Sequence, residues 1–261
     1  MIDLATLMSG LTADGDGHAI TVTEDWLQGR TIYGGLGAAI CVESALRLWP
    51  DLPPLRSAQF AFIGPATGRL TVQPTILRRG KSTTFVAADL VGEGGLATRA
   101  ILCFGAARAS VLSYAQVAMP DVARWDACPR FFPENPPIAF ARHFDSGRAG
   151  PGELIQGGDD PTLLVWLRHR GEAPASITSL VALADALPPA AMVMFRNHAP
   201  ISTMTWDIDI LTERLDTTDG WWLVRSQAEH VADGYSGQAI TLWNAAGEPV
   251  AVSRQNIAVF I

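Results

Sequence analysis

Apolar residues along this chain change twice from a helical rhythm to an alternating one. Over Gly34–Leu48 (GGLGAAICVESALRL), Ile40, Cys41, Ala45 and Leu48 recur at helical spacing, which predicts an Ala-rich helix. Four strand-like runs follow, roughly 55–63, 68–79, 82–91 and 96–106, separated by Gly64-Pro65, Arg79-Gly80-Lys81 and Gly92-Glu93-Gly94-Gly95. Ala175–Leu187 (ASITSLVALADAL) is helical again and ends before Pro188-Pro189, where a helix must stop. Four more runs come after it, roughly 201–212, 220–231, 237–244 and 249–260. Each helix also has a lead-in: His18–Trp26 before the first, and 138–145 and 162–169 before the second. The order helix, then four strands, is written twice.

One unit of this kind packs by curling its antiparallel sheet around its helix, and two units remove exposed edges by pairing into one continuous sheet. In the second half Trp206, Ile208 and Ile210 alternate with Thr205, Asp207 and Asp209, the pattern of a strand with one buried face. Gly34, Gly35, Gly37, Ala38 and Ala39 are expected to let the first helix lie close to its sheet. The stretch from about 107 to 137 holds five prolines, Pro120, Pro129, Pro133, Pro136 and Pro137, and reads as a surface linker. The expected organisation is an N-terminal unit at 1–107, a linker at 108–137 and a C-terminal unit at 138–261.

Composition narrows the possible functions. The 261 residues are 48% hydrophobic and 17% charged, enough apolar material for a large core. A net charge of −7 argues against a nucleic-acid binder. Cys41, Cys103 and Cys128 lie far apart, with no zinc spacing, and fit a reduced, cytoplasmic setting. The N-terminus lacks a secretory pattern and no apolar run is long enough to span a bilayer, so a membrane span is not expected. Gly80-Lys81-Ser82 has Thr75 where a P-loop needs its first glycine, and Gly35-Leu36-Gly37 lacks the rest of a dinucleotide fingerprint. No metal-binding cluster occurs among the five histidines.

Three polar residues of the second half stand out instead. Asp185 ends an apolar helix, where a carboxylate opposes the helix dipole and must be bonded or shifted in pKa. Thr205 lies in the first strand after that helix, and Gln255 in the last strand. Matching the two halves element by element sets Ser44 or Ala45 against Asp185, Gln59 or Phe60 against Thr205, and Ile101 against Gln255. The acid, hydroxyl and amide are therefore peculiar to one half, as when one copy keeps the chemistry and the other serves as scaffold.

Several of these segments carry a family resemblance. Tyr33-Gly34-Gly35 before the Ala-rich helix, Leu77-Arg78-Arg79-Gly80-Lys81-Ser82, Thr205-Trp206-Asp207 and Val252-Ser253-Arg254-Gln255 resemble motifs of the acyl-CoA thioesterase II (TesB-like) family. The resemblance is weakest from about 107 to 160. It implies an α+β double hotdog: two tandem units, each an antiparallel sheet wrapped around a long helix, joined into one sheet. It further implies hydrolysis of acyl-CoA thioesters without metal or organic cofactor, with Asp185, Thr205 and Gln255 activating a water. In that scheme Tyr33 and Gly35 are candidates for the oxyanion and substrate, Arg78, Arg79 and Lys81 are candidates for the CoA phosphates, and the acyl chain lies in an apolar channel between helix and sheet. A non-catalytic acyl-CoA or acyl-carrier binding protein is the competing expectation, and a hotdog hydratase a lesser one. The aromatic strand around Trp221 and the sheet edges suggest a homodimer.

Overall fold

The computed structural model describes residues 1–261. Its helices are α1 (Leu4–Ser9), α2 (Gly34–Leu48) and α3 (Ile177–Ala184). The strands of the first half are β1 (Thr12–Asp14), β2 (Gly17–Val22), β3 (Leu27–Gln28), β4 (Thr31–Ile32), β5 (Leu55–Phe62), β6 (Gly68–Arg79), β7 (Thr83–Gly92) and β8 (Gly95–Gly105). Those of the second half are β9 (Phe144–Arg148), β10 (Thr162–His169), β11 (Ile201–Ile210), β12 (Trp222–Ala232), β13 (Tyr235–Asn244) and β14 (Pro249–Val259).

Twelve strands form one antiparallel sheet in the order β1-β2-β6-β7-β8-β5-β11-β14-β13-β12-β10-β9, and β3-β4 form a separate small ribbon. Read outward from its middle, the large sheet runs 5-8-7-6-2-1 on one side and 11-14-13-12-10-9 on the other, so the repeat in the sequence is a repeat in space. The seam is the β5–β11 pair, with Ala58 opposite Ile208 and Gln59 opposite Asp207. Of the two lead-in candidates of the second half, 162–169 is β10, whereas 138–145 is mostly a 3-10 turn (Ala139–His143) that enters β9 only at Phe144. The architecture is the double hotdog.

One central helix ends where its sequence dictates, and the other ends earlier. α2 stops one residue short of Trp49-Pro50, because proline removes the preceding residue from the helical region. α3 is capped by Ser176, whose hydroxyl accepts from the Ser179 amide at 3.2 Å. It is shorter than the expected Ala175–Leu187: its last residue is Ala184, and Asp185 is its C-cap, with φ −97° and ψ 6°. The two helices run antiparallel. Glu43 of α2 accepts from the Thr178 hydroxyl at 2.7 Å near one end, and Gly34 meets Asp185 at the other.

That second contact corrects the reading of the glycines. Gly37 faces the sheet, where a Cβ would stand 3.4 Å from Thr98 and 3.5 Å from Leu90, and Gly34 meets only its Phe62 edge. Gly34 and Gly35 serve the approach of the two helices. A Cβ on Gly35 would stand 2.5 Å from the Tyr33 hydroxyl and 2.8 Å from the Ala182 carbonyl, closer than atoms can pack.

A single core of 57 buried residues spans both halves, so neither sheet half has a core of its own. The halves differ in what they turn toward the helices. β6, β7 and β8 present mainly apolar side chains, Leu70, Val86, Leu90 and Leu102 among them, with Thr84 and Thr98 the buried polar ones. β12, β13 and β14 bury Ser226, Ser236, Gln238, Ser253 and Gln255. The second half therefore sets a polar stripe into an inner face that is otherwise apolar, with Val224, Ile240, Leu242 and Ile257 buried beside it.

The outer face of the second half carries its own small cluster, Trp166, Trp221, Leu223 and Trp243. The Pro-rich segment lies across it as a strap. Val117, Met119, Val122 and Trp125 cover the cluster, and the indole N–H groups of Trp243 and Trp166 donate to the carbonyls of Val117 and Ala123 at 2.8 and 2.9 Å. Trp125 stacks on Trp221 with ring centroids 5.7 Å apart. The chain thus covers Trp221 itself, which removes the aromatic strand as an argument for a homodimer.

Candidate active site

The site is built where α3 ends, at the first turn of α2 and on the inner faces of β13 and β14. Asp185 is half-buried there. Its Oδ1 accepts from Gln255 Nε2 at 2.5 Å, although the two residues are 70 positions apart. Its Oδ2 points at Gly34, where a Cβ would stand only 2.8 Å away. Burial pushes the Asp185 carboxyl up to about 7, against the lowering effects of the Gln255 amide and the Gly35 backbone N–H. The carboxylate sits at the unfavourable end of α3 but faces the amide-rich end of α2, which favours its charge.

Gln255 is held in turn. Its Oε1 accepts from Gln238 Nε2 at 2.7 Å, and Gln238 Oε1 accepts from the Ala190 backbone N–H at 2.9 Å. Gln238 is 1% exposed. Sequence reasoning did not single it out. The available signal was a glutamine in the strand YSGQAITLWN, flanked at its i−2 and i+2 positions by Ser236 and the apolar Ile240 and directly opposite Gln255 in the sheet.

The expected trio is not assembled. Asp185 and Gln255 meet, but Thr205 is exposed and pairs with Asn256, whereas Gln255 pairs with the buried Trp206. Directly paired residues share a face, so Thr205 lies on the side of the sheet opposite the helices. A bulge between Thr203 and Thr205 changes the phase of β11. Thr203 pairs with Ile257, two residues beyond Gln255, and so shares the inner face with it.

The remaining candidates also take other places. Tyr33 is 1% exposed, stacks on Phe140 at 4.1 Å, and donates its hydroxyl to the Ala182 carbonyl at 2.7 Å. Burial and the nearby Asp185 raise its pKa well above the ordinary value. It braces the last turn of α3, and its hydroxyl is already committed. The Gly35 N–H faces the Asp185 carboxylate. Arg78, Arg79 and Lys81 are exposed at the β6–β7 hairpin, where Arg79 pairs with Asp51 at 2.7 Å. Asp51 lies just past the C-terminal end of α2, whose 15 residues span about 22 Å at 1.5 Å each. Asp185 is at the other end, so the basic hairpin does not reach it.

Two alternative chemistries lose ground on geometry. Burial pushes the Cys41 thiol up to about 12, which leaves it inert at neutral pH. A cleft of about 550 Å³ lies at the far end of α3, beside Ser176, Arg168 and Arg170. Asp145 pairs with both arginines, and the cleft is separate from Asp185.

A half-buried carboxylate near neutral pKa, fixed by an amide that keeps one N–H to spare, is suited to general-base work on water. Fold and site together define a double hotdog with a carboxylate–amide pair at the end of one central helix. In family comparison, the acyl-CoA thioesterase N-terminal domain model matches residues 22–105, and the acyl-CoA thioesterase C-terminal domain model matches residues 117–259. The chain belongs to the family that these two models describe, the acyl-CoA thioesterases built from an N-terminal and a C-terminal domain.

Solved structures repeat the architecture. A conserved hot dog fold protein of unknown function from Alicyclobacillus acidocaldarius superposes with a TM-score of 0.87 at 22% identity, covering 98% of this chain and 97% of that one. The tesB protein of Mycobacterium avium subs. paratuberculosis gives 0.79 at 16% identity over 98% and 99% of the two chains. The acyl-CoA thioesterase II TesB2 from Mycobacterium marinum gives 0.75 at 18% identity over 97% and 96%. No curated protein matches the sequence. No helix is long and apolar enough to cross a membrane.

Proposed function

We propose that the protein hydrolyses acyl-CoA thioesters, with Asp185 as general base. The observation that carries this reading is the Gln255–Asp185 hydrogen bond on a carboxylate whose pKa lies near 7. Asp185 takes a proton from water, and the hydroxide adds to the thioester carbonyl. The tetrahedral intermediate expels CoA thiolate as the C–S bond breaks, and the proton held by Asp185 passes to the thiolate. The second N–H of the Gln255 amide is free to hold the water or the developing oxyanion. No metal or organic cofactor is called for in these steps.

Thr203, which shares the inner face with Gln255, is the hydroxyl suited to the role that sequence assigned to Thr205. Arg78, Arg79 and Lys81 would touch only parts of a CoA ligand remote from the scissile bond. The three cysteines are free, in keeping with a reducing, cytoplasmic setting.

The test is release of free thiol from a panel of acyl-CoAs of different chain length and branching. Turnover on any member that disappears in Asp185→Asn supports the reading. A protein that binds acyl-CoA but releases no thiol from any of them is a binding module instead.

A further inference from the structure

In the Asp185–Gln255 pair of the proposed hydrolysis an ionised Asp185 accepts only from the amide N–H, but a protonated Asp185 can meet either end of the Gln255 amide, so the pair alone does not hold one direction through its titration near 7. An amide that flips presents its carbonyl oxygen instead, and a carboxylate cannot bond to it. The polarity is set two residues away. A backbone N–H can only donate, so the Ala190 N–H at 2.9 Å obliges Gln238 to offer its oxygen. The Gln238 Nε2 is then turned to Gln255 Oε1 at 2.7 Å, and Gln255 Nε2 to Asp185 at 2.5 Å. All four groups lie on elements of the second half: the turn after α3, β13, β14 and the α3 cap.

We propose that Gln238 is a positioning residue that locks the Gln255 amide donor-first toward Asp185. This assignment rests on the proposed hydrolysis for its consequence in rate, but not for its consequence in proton affinity. Gln238 is enclosed between the Ala190 N–H and Gln255 and acts only through Gln255. Its burial leaves it no solvent partner, so the chain of donors has one low-energy direction.

A change of direction is read out at Asp185. The titratable neighbour of that carboxyl is the Tyr33 phenol, and no Arg, Lys or His contributes to its shift. What lowers its pKa against burial is the Gln255 amide and the Gly35 N–H. In Gln238→Glu the new carboxylate still accepts from Ala190 but cannot donate to Gln255. Gln255 then turns its N–H toward residue 238 and its oxygen toward Asp185, which must hold a proton to meet it. In Gln238→Met the amide loses its orienting partner without a new charge.

The experiment measures the Asp185 carboxyl titration by carbon NMR in the full-length wild type and both variants, beside acyl-CoA kinetics. The expected result is a rise of about one pH unit or more at Asp185, a tenfold gain in proton affinity. With it, kcat falls, KM changes little, and the acid limb of the pH profile moves to higher pH. If the wild type turns over no acyl-CoA but the Asp185 titration still moves, the Gln238 assignment stands and the hydrolase reading fails. Folded variants with unchanged Asp185 titration and unchanged pH profile overturn the assignment. The wild type supplies a check that needs no variant: Gln238 side-chain amide protons must exchange slowly and shift as Asp185 titrates. Rapid exchange with solvent overturns the proposal.

Discussion

Gly34 and Asp185 approach so closely that a single added methyl on the glycine would stand 2.8 Å from the carboxylate Oδ2 and 3.3 Å from the Phe62 ring. The glycine comes from the first half and the acid from the second. Gly34→Ala is therefore expected to push the carboxylate off its position. A displacement of about 1 Å costs on the order of 100-fold in rate at a well-aligned site. Steady-state kinetics on the best acyl-CoA substrate, with circular dichroism confirming the fold, checks this; an unaffected kcat would show that the carboxylate's placement is immaterial.

The proposed base must be ionised to work. With the Asp185 carboxyl at about 7, kcat/KM is expected to rise with pH through that region and level off above it. Asp185→Asn is expected to lower kcat by about 10²–10⁴-fold, the range for general-base catalysis. A pH–rate profile that is flat from pH 5 to 9 would exclude Asp185 as the titrating group.

The same carboxyl couples pH to stability. Its pKa in the native state, about 7, lies above its ordinary value of 3.8, so the native state holds this proton more tightly than the unfolded chain. Its stabilising contribution is full below pH 4 and is lost as pH rises through 7. Asp185→Asn removes that loss, so thermal melts should show the variant gaining on the wild type between pH 5 and pH 8. Each kcal/mol gained corresponds to about 2–4 °C in Tm for a chain of this size. Parallel curves for the two proteins would contradict the raised pKa.

Tyr33 separates a bracing role from a catalytic one. Tyr33→Phe keeps the ring stacked on Phe140 but leaves the Ala182 carbonyl without its partner. An unpaired buried acceptor costs about 1–3 kcal/mol, which chemical denaturation can measure. A drop in kcat with unchanged stability would instead restore the oxyanion role expected from the sequence.

The two threonines of β11 make the strand's phase testable. Thr203→Val is expected to lower activity, because its hydroxyl shares a face with Gln255, whereas Thr205→Val on the exposed face is expected to leave activity within about twofold and stability within about 0.5 kcal/mol. The reverse ranking would return the catalytic hydroxyl to Thr205.

Those threonines also show what the sequence could and could not disclose. The helix Gly34–Leu48 and the eight main strands were legible because helical and alternating rhythms, punctuated by glycine and proline, survive in the linear text. Asp185 and Gln255 were legible as polar residues at positions that the other half fills with small or apolar ones. Thr205 was not a good match to them, and its own strand said so: once Trp206, Ile208 and Ile210 face the core, Thr205 faces away. Simple alternation would put Thr203 outside as well. The extra residue at the bulge turns it inward, and a bulge leaves no mark in a single sequence. Gln238 was hidden for another reason. Its meaning depends on a cross-strand neighbour and on the Ala190 amide, both fixed only by tertiary structure. The glycines of the first turn of α2 were recognised as sites of close approach, but the main approaching surface, α3 instead of the sheet, is a fact of three-dimensional packing.

The strap over Trp166, Trp221 and Trp243 bears on where this protein can be divided. A fragment starting near residue 138 would leave those indoles bare to water and prone to self-association, while one starting at Val117 would bring its own cover. The C-terminal family match begins at that same residue. What is inherited as a module therefore starts ahead of the first strand it contains, with the garment sewn to the leading edge of the body it clothes. Even that fragment would lack Gly34 and Gly35, and with them the first-turn amides of α2 that face its own acid.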